Sequence, residues 1–200
     1  MTTRIPAKEK TTPAWEIATL FPDQGAWSES EYLELDTNHL IEFSDGFVEV
    51  LPMPTDKHQA IVAYLFIVFR DFLRKRGGTV RFAPLRLQIR SGKYREPDLL
   101  LLLSADDSRR GNAFWEGADL VVEVVSPDDR QRDLVTKRRE YAGKGILEYW
   151  IVDPELELVT LLILKGDNYE TFGEFGRDES VYSQLLSGLQ IEVNDILDAK

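Results

Sequence analysis

The feature that most constrains the fold is an apolar run interrupted by a single acid. Residues 119–125 are Asp-Leu-Val-Val-Glu-Val-Val, so Glu123 stands within a sequence that is otherwise apolar after its first residue. A strand this continuously apolar is typical of a sheet whose two faces are both covered. A lone carboxylate in such a strand is costly unless it is paired or binds a cation. The run therefore predicts a buried strand and a partner for Glu123.

Local signals before this run predict three more elements. Ser28 and Glu31 have the spacing of a capping box, which is typical of a helix start. The pair Asp45-Gly46 separates two short apolar runs and is typical of a β-hairpin turn. Apolar residues within 61–73 recur with the 3.6-residue period of a helix, and a glycine pair follows. We expect a short helix, a hairpin and then the main helix.

Further strands and one further helix are predicted from apolar or alternating runs. The strands are expected at 79–82, 85–89, 98–103, 119–125, 148–153 and 156–164. The helix is expected at 128–142, after Ser126-Pro127. This order of elements predicts an α/β fold with a mixed sheet.

The length of the chain supports one domain with short appendages. Two hundred residues with 43% hydrophobic content can bury one core. We expect an N-terminal tail over residues 1–26, a folded domain over 27–172 and a C-terminal extension over 173–200 that packs on the same domain. No apolar run approaches the length of a membrane span, so we expect no membrane association.

The sequence contains no cysteine, which excludes thiol catalysis, disulfides and zinc-thiolate sites. This composition suits a cytoplasmic protein. No glycine-rich phosphate loop is present, so nucleotide enzymes of the P-loop and dinucleotide-binding kinds are not expected. Any metal ion must be held by oxygen or nitrogen ligands.

Charge is distributed unevenly along the chain. The formal net charge is −11, yet residues 70–95 contain nine basic side chains and one acidic, a local balance of +8. Such a stretch can contact phosphates locally, because binding responds to the nearby field rather than to net charge. The alternative is an exposed helix end followed by a solvated hairpin.

Two carboxylates belong to predicted apolar strands. Asp98 opens the strand that continues through five leucines, and Glu123 lies inside the next apolar strand. If they lie side by side, their repulsion can be relieved by a divalent ion with oxygen ligands, Mg²⁺ or Mn²⁺. In the alternative interpretation, Asp98 only begins its strand and Glu123 pairs with an arginine.

The helix predicted after Pro127 contains a pair of opposite charges on one face. Asp133 and Lys137 are four residues apart, and Tyr141 continues the same stripe. Such a pair is usually a surface salt bridge. In the functional interpretation, the ammonium group of Lys137 points at the carboxylates, where it orients a water molecule or stabilises charge on a phosphate.

Taken together, these residues resemble a known family. The chain resembles the Uma2 family from residue 27 to 172, and the motifs that match are Glu42 with Ser44-Asp45-Gly46, His58, Pro97-Asp98-Leu99-Leu100, Leu120 to Pro127, Arg132 to Ala142, and Glu148 to Pro154. That family is assigned to the PD-(D/E)XK nuclease superfamily. The resemblance implies a restriction-endonuclease-like core, in which helices flank a mixed central sheet, and Mg²⁺-dependent hydrolysis of DNA phosphodiesters by an endonuclease.

The resemblance also implies roles for individual residues. Asp98 and Glu123 would be catalytic and bind the metal, with Glu42 as a further ligand. The superfamily pattern has a lysine two residues after the second acid, but here that position is Val125. Lys137, on the next helix, would replace it as the third catalytic residue. His58 would be an accessory residue.

The partner implied by the resemblance is DNA, expected to be double-stranded, and many such folds form homodimers. Within the basic stretch, the residues expected to contact nucleic acid are Arg81, Arg86, Arg90, Lys93 and Arg95. Two alternatives remain open. Val125 and the charge of −11 favour a degenerate nuclease fold that binds nucleic acid or a protein partner without cutting. A carboxylate metal site could also hydrolyse a smaller phosphoester.

Overall fold

The structure is a computed structural model that describes residues 22–37, 39–126 and 132–200. The predicted N-terminal tail therefore lies outside the described residues up to residue 21, as do residues 128–131 of the predicted second long helix. The first elements are α1 (Glu29–Leu33), β1 (Ile41–Ser44), β2 (Phe47–Val50), α2 (Asp56–Arg74), β3 (Thr79–Phe82), β4 (Arg86–Arg90), β5 (Lys93–Arg95) and β6 (Leu99–Leu102).

The second half of the chain is richer in strands. Its elements are β7 (Phe114–Trp115), β8 (Leu120–Val124), a π-helical segment (Arg132–Lys137), α3 (Arg138–Lys144), β9 (Glu148–Asp153), β10 (Leu158–Lys165), β11 (Asn168–Phe175), β12 (Ser180–Tyr182), β13 (Gln190–Glu192) and α4 (Val193–Leu197). The strands predicted at 79–82 and 148–153 have the predicted bounds, and the other predicted strands differ by one or two residues at their ends.

The two local turn and cap signals are confirmed. The Ser28 hydroxyl accepts a hydrogen bond from the amide of Glu31, whose carboxylate accepts one from the amide of Ser28 at 2.8 Å. Asp45 and Gly46 both have positive φ, 51° and 89°, as a tight hairpin turn requires. A side chain on Gly46 would come within 2.6 Å of the carbonyl oxygen of Gly25, so glycine is also required there for close backbone approach.

The strands form two larger sheets and one small pair. The six-stranded sheet has the order β11-β10-β9-β8-β6-β3, and β8 and β9 are parallel while the other neighbours are antiparallel. A five-stranded sheet has the order β2-β1-β5-β4-β7. The mixed sheet is therefore confirmed. Strands β5 and β7 were not predicted, because three and two residues are too few to show a period.

Strand β8 is buried on both faces, as the apolar run predicts. On one face, Phe69 of α2 packs edge-on against Trp150 of β9, with ring centroids 5.5 Å apart. On the other face, Tyr141 of α3 packs edge-on against Tyr149 at 5.2 Å. Glu123 lies on the same face of β8 as Val121 and Val125, which belong to the hydrophobic cluster that contains Tyr141, so its side chain points toward α3.

The C-terminal residues pack on the same core as α2. Val181, Ile191 and Ile196 are buried in the hydrophobic cluster that contains the apolar face of α2. None of the helices in the described part of the chain is long and apolar enough to cross a membrane.

Candidate active site

Asp98 and Glu123 are brought together by the pairing of two strands. Strands β6 and β8 are antiparallel, and Leu99 is opposite Val122, so the residues next along the ladder are Asp98 and Glu123. The amide of Val124 donates a hydrogen bond to Asp98 Oδ2 at 2.7 Å, which fixes the Asp98 carboxylate beside β8. Both acids line one pocket. The expectation that they lie on neighbouring strands at one site is confirmed.

Glu123 is 3% exposed and contacts two side chains from the following helical region. The hydroxyl of Tyr141 donates to Glu123 Oε1 at 2.5 Å, and Lys137 Nζ lies 2.9 Å from Oε2. Burial, and then the nearby Glu123 charge, raise the pKa of Tyr141 well above its ordinary value, so the phenol remains a donor. Lys137 points at the carboxylate, as its functional interpretation predicts. The side chain of Asp133 lies outside the described residues.

The charges continue from Lys137 into the second sheet. Lys137 Nζ lies 4.0 Å from Glu42 Oε1 on β1, and Glu42 Oε2 accepts a hydrogen bond from Arg95 at 2.8 Å. Arg95 on β5 also donates two hydrogen bonds to Glu140 of α3, at 2.7 and 2.9 Å. Lys93 Nζ lies 2.6 Å from the same Glu140 carboxylate.

These contacts make one continuous series of alternating charges, which we call the charge ladder. Its members, in order, are Glu123, Lys137, Glu42, Arg95, Glu140 and Lys93. Three carboxylates and three cations give a formal sum of zero. Buried charges are tolerated when each has a partner of opposite sign. The pairing along the ladder therefore explains how six ionised side chains can lie close together at a largely buried place in the fold.

His58 lies in the first turn of α2, beside Asp98. Its backbone amide donates to the side chain of the N-cap residue Thr55 at 3.2 Å. Its Nε2 lies 3.2 Å from Asp98 Oδ2. His58 thus belongs to the site by geometry, and its contact orients the Asp98 carboxylate.

Glu96 is a buried acid in the same pocket that the sequence did not single out. Ile41 donates its amide hydrogen to Glu96 Oε2 at 2.9 Å, and Arg86 Nε lies 3.7 Å from Oε1. Burial raises the pKa of Glu96 to about 8, with Ile41 and Arg86 opposing the shift and Glu42 adding to it. The signal in the sequence was its position two residues before Asp98, in the short connection between β5 and β6.

The pocket itself is small and mixed in character. It has a volume of about 60 Å³ and is lined by Leu40, Leu51, Pro52, Pro54, His58, Glu96, Asp98, Glu123, Val124, Ser126 and Lys137. One water needs roughly 10–15 Å³ by this measure, so the pocket has room for several waters or for one hydrated ion.

The donor set of the pocket fits a hard divalent cation in part. Mg²⁺ in proteins is typically bound by one or two carboxylates together with water and substrate phosphate oxygens, and Asp98 and Glu123 supply such a pair. Glu42 differs, because its carboxylate contacts Arg95, Lys137 and the amide of Glu96. Within the described residues, no three Asp, Glu or His side chains are grouped to hold a metal ion. The third ligand expected at Glu42 therefore does not fit this arrangement.

The five basic residues expected to contact nucleic acid lie in different surroundings. Arg95 is 6% exposed and bound to two carboxylates, so the expectation that it contacts phosphates is wrong and its role is structural. Lys93 is paired with Glu140. Arg86 lies over the ring of Tyr32 and donates to a backbone carbonyl. Exposed guanidinium groups remain at Arg90, paired with Asp45, and at Arg81.

The mixed α/β fold and a carboxylate pair at adjoining strand ends together define a protein of the restriction-endonuclease-like class. The chain is similar to a crystal structure described as a putative nuclease belonging to DUF820 from Anabaena variabilis. The TM-score is 0.71 at 22% identity, covering 86% of this chain and 98% of that chain. Residues 27–194 match the model of the Uma2 family, described as "putative restriction endonuclease", so this chain belongs to that family. No curated protein matches it.

Proposed function

We propose that this protein is an endonuclease that hydrolyses DNA phosphodiester bonds with Mg²⁺ or Mn²⁺ held by Asp98 and Glu123. The strongest support is that Asp98, Glu123 and Lys137, which come from three separate elements, line one pocket. The family to which the chain belongs is described as "putative restriction endonuclease", and the similar solved structure is described as a "putative nuclease".

Each side chain has a task that follows from its contacts. Asp98 is held at one oxygen by the amide of Val124 and by His58, so His58 is a positioning residue. Tyr141 and Lys137 fix the Glu123 carboxylate. When bound, the divalent ion supplies Lewis-acid stabilisation of charge on the phosphate oxygens.

Lys137 supplies a positive charge at the wall of the pocket. Its ammonium group can orient the attacking water or donate to a phosphate oxygen, where charge increases in the transition state. Val125 occupies the position of the superfamily lysine, and Lys137 reaches the same acid from the π-helical segment. Short π-helical turns often occur at functional sites, which agrees with this assignment.

A binding protein without catalytic activity is the second candidate, and it is favoured by the valine at residue 125. The two candidates differ in one respect. A protein that only binds DNA does not need the Glu123 charge for binding, whereas the endonuclease needs that charge for cleavage.

The test is incubation of pure protein with plasmid DNA, single-stranded DNA and RNA in Mg²⁺, Mn²⁺ or EDTA. We expect cleavage of DNA that depends on the metal and is reduced about 100- to 1,000-fold in Glu123→Gln, the size of effect typical of a lost charge-stabilising group. Glu170→Gln, an exposed acid on β11, is the matched control and should cut at the wild-type rate. DNA binding without metal-dependent cleavage would identify the second candidate.

A homodimer and a cytoplasmic location stay predictions. Sedimentation of the pure protein measures the first, and fractionation of cells measures the second.

A further inference from the structure

A second cavity adjoins the candidate active site. It has a volume of about 210 Å³ and shares with the first pocket Leu40, Leu51, Pro52, Pro54, His58 and Asp98. Its remaining wall is Met53, Gln59, Val62, Phe82 and Ala83. The two cavities therefore share a wall that includes Asp98. The first is the ionic part of the site, with Glu96, Glu123 and Lys137, and the second is the apolar part.

The apolar part exposes large side chains to solvent. Phe82 is 50% exposed and Met53 is 80% exposed. Single exposed apolar residues are ordinary, but two that line one cavity beside an ionic site are characteristic of a ligand surface. Cavities of about 150 Å³ take up benzene, so this one has room for a flat ring system of similar kind.

Phe82 is held in place from two sides. It is the last residue of β3 and pairs with Leu99, the residue that follows Asp98. The amide of Ala83 donates to the backbone carbonyl of Asp98 at 3.3 Å. The ring of Phe82 packs edge-on against Phe66 of α2, with centroids 5.0 Å apart and planes at 89°. An aromatic ring is thus fixed next to the acid that would face the scissile phosphate.

A basic surface begins on the far side of this ring pair. Phe66 also lines a third cavity of about 190 Å³, together with Arg70, Arg74 and Arg81. The guanidinium of Arg70 lies 6.0 Å from the Phe66 centroid. Residues 70–81 contain five basic side chains and one acidic. The charge of this surface is complementary to a phosphate backbone, although the whole chain is acidic.

We propose that the apolar cavity receives one unpaired nucleobase, which stacks on Phe82 while its phosphate lies at Asp98. The strand then continues along Arg81, Arg70 and Arg74. Base stacking on an aromatic ring beside a basic track is the general mode of binding to single strands. This inference rests on the proposed function and narrows its substrate to DNA with an unpaired nucleotide at the cleavage position, in place of the continuous duplex expected from the sequence.

The test is a binding measurement in EDTA, which separates it from cleavage. Fluorescence anisotropy compares a labelled single strand with the same strand in a duplex. We expect the single strand to bind more tightly, and Phe82→Ala to weaken that binding by about 5- to 140-fold, the range of one lost base–aromatic stack. Phe82→Trp should keep wild-type affinity. Phe172→Ala is the matched control, because Phe172 is a part-exposed aromatic on β11, the opposite edge strand of the same sheet.

Equal affinity for both DNA forms, or binding that Phe82→Ala leaves unchanged, would overturn the inference. Met53→Ala is a second variant that remains informative if Phe82→Ala fails to fold, and its loss of single-strand affinity should be smaller. A protein that binds as expected in EDTA but never cuts in Mg²⁺ would disprove the proposed function and leave the base cavity standing. A protein that cuts duplex and single strand equally well, with no effect of Phe82→Ala, would support the proposed function and disprove the base cavity.

Discussion

Two buried glutamates on neighbouring strands of one sheet are stabilised in different ways. Glu123 on β8 is paired with the cation Lys137 and the phenol Tyr141. Glu148 on β9 is 0% exposed and accepts four hydrogen bonds from neutral donors, namely Trp150 Nε1, Ser183 Oγ and the amides of Gln184 and Leu185, at 2.6 to 2.9 Å.

The comparison shows that burial of an acid does not by itself indicate a site. The donors around Glu148 satisfy both oxygens and attach the C-terminal segment to the core. Glu123 instead lies at a pocket wall, and its partner is a charged lysine ammonium group. We infer that Glu148 stabilises the fold and Glu123 serves the chemistry. Substitutions at Lys137 and Glu148 test this difference, and substitutions at Glu140 and Arg90 compare buried with exposed charges.

The largest effect on stability is expected from Lys137→Met. Removing one partner of a buried ion pair leaves the charge of Glu123 without its cation, which typically costs about 3–5 kcal/mol of unfolding free energy. Chemical denaturation measures the loss. The double variant Glu123→Gln/Lys137→Met should recover part of it, because the carboxylate charge that had lost its cation is then absent. Strictly additive effects of the two substitutions would contradict the proximity of these groups.

A somewhat smaller loss is expected from Glu148→Gln. The amide retains one acceptor oxygen but turns its NH₂ group toward two donors, which costs about 2–3 kcal/mol. Denaturation again measures the loss, with Glu170→Gln as an exposed control. Cleavage per folded molecule should not change. A loss of cleavage comparable to that of Glu123→Gln would end the distinction between the two acids.

Sequence reasoning was most successful where one residue violated a strong local pattern. Glu123 interrupts an apolar strand, and that conflict led directly to the site. The catalytic role of Lys137 was predicted from the family resemblance. Lys137 and Tyr141 lie on one predicted helix stripe, which is consistent with their shared contact to Glu123. Tyr141 was noted only as a continuation of that stripe, although its hydroxyl binds Glu123.

The remainder of the site depends on pairings between distant segments. Arg95 is 45 residues from Glu140 and 53 from Glu42, so no local period links them. A run of basic residues therefore suggested a nucleic-acid surface at a place where the fold buries the side chain. Glu148 was not singled out, since an acid at the first position of a strand is common at exposed strand ends.

The pH dependence of the charge ladder offers a third test. Burial would raise the pKa of Glu140, but hydrogen bonds and charges from Arg95 and Lys93 outweigh it and hold the pKa below the ordinary value of 4.5. The stabilisation is therefore present above pH 4.5 and is lost as the pH falls through the lowered pKa. Glu140→Gln should lose about 1–2 kcal/mol at neutral pH.

Denaturation of wild type and Glu140→Gln from neutral pH downward checks this prediction. The two curves should converge in acid, because the wild-type carboxylate becomes protonated there. A difference that stays constant across the whole range would mean that the ladder contributes through shape rather than charge.

The smallest effect is expected from Arg90→Ala. The pair between Arg90 and Asp45 is more than half exposed on both sides, and exposed ion pairs contribute little. We expect no measurable change in the unfolding transition. A clear decrease in the unfolding free energy would show that the hairpin turn depends on this pair. Buried and exposed ion pairs would then differ less in their contribution to stability than we expect.

The balance of charges inside the ladder affects how this protein associates with a polyanion such as DNA. Since the ladder sums to zero, the excess negative charge of −11 belongs to groups outside it. At low ionic strength this charge repels DNA over long distances, while the basic surface near Arg81 attracts it only close by. Added salt screens the long-range repulsion first, with a Debye length near 10 Å at 0.1 M. The rate of encounter with DNA should therefore rise with moderate salt before it falls.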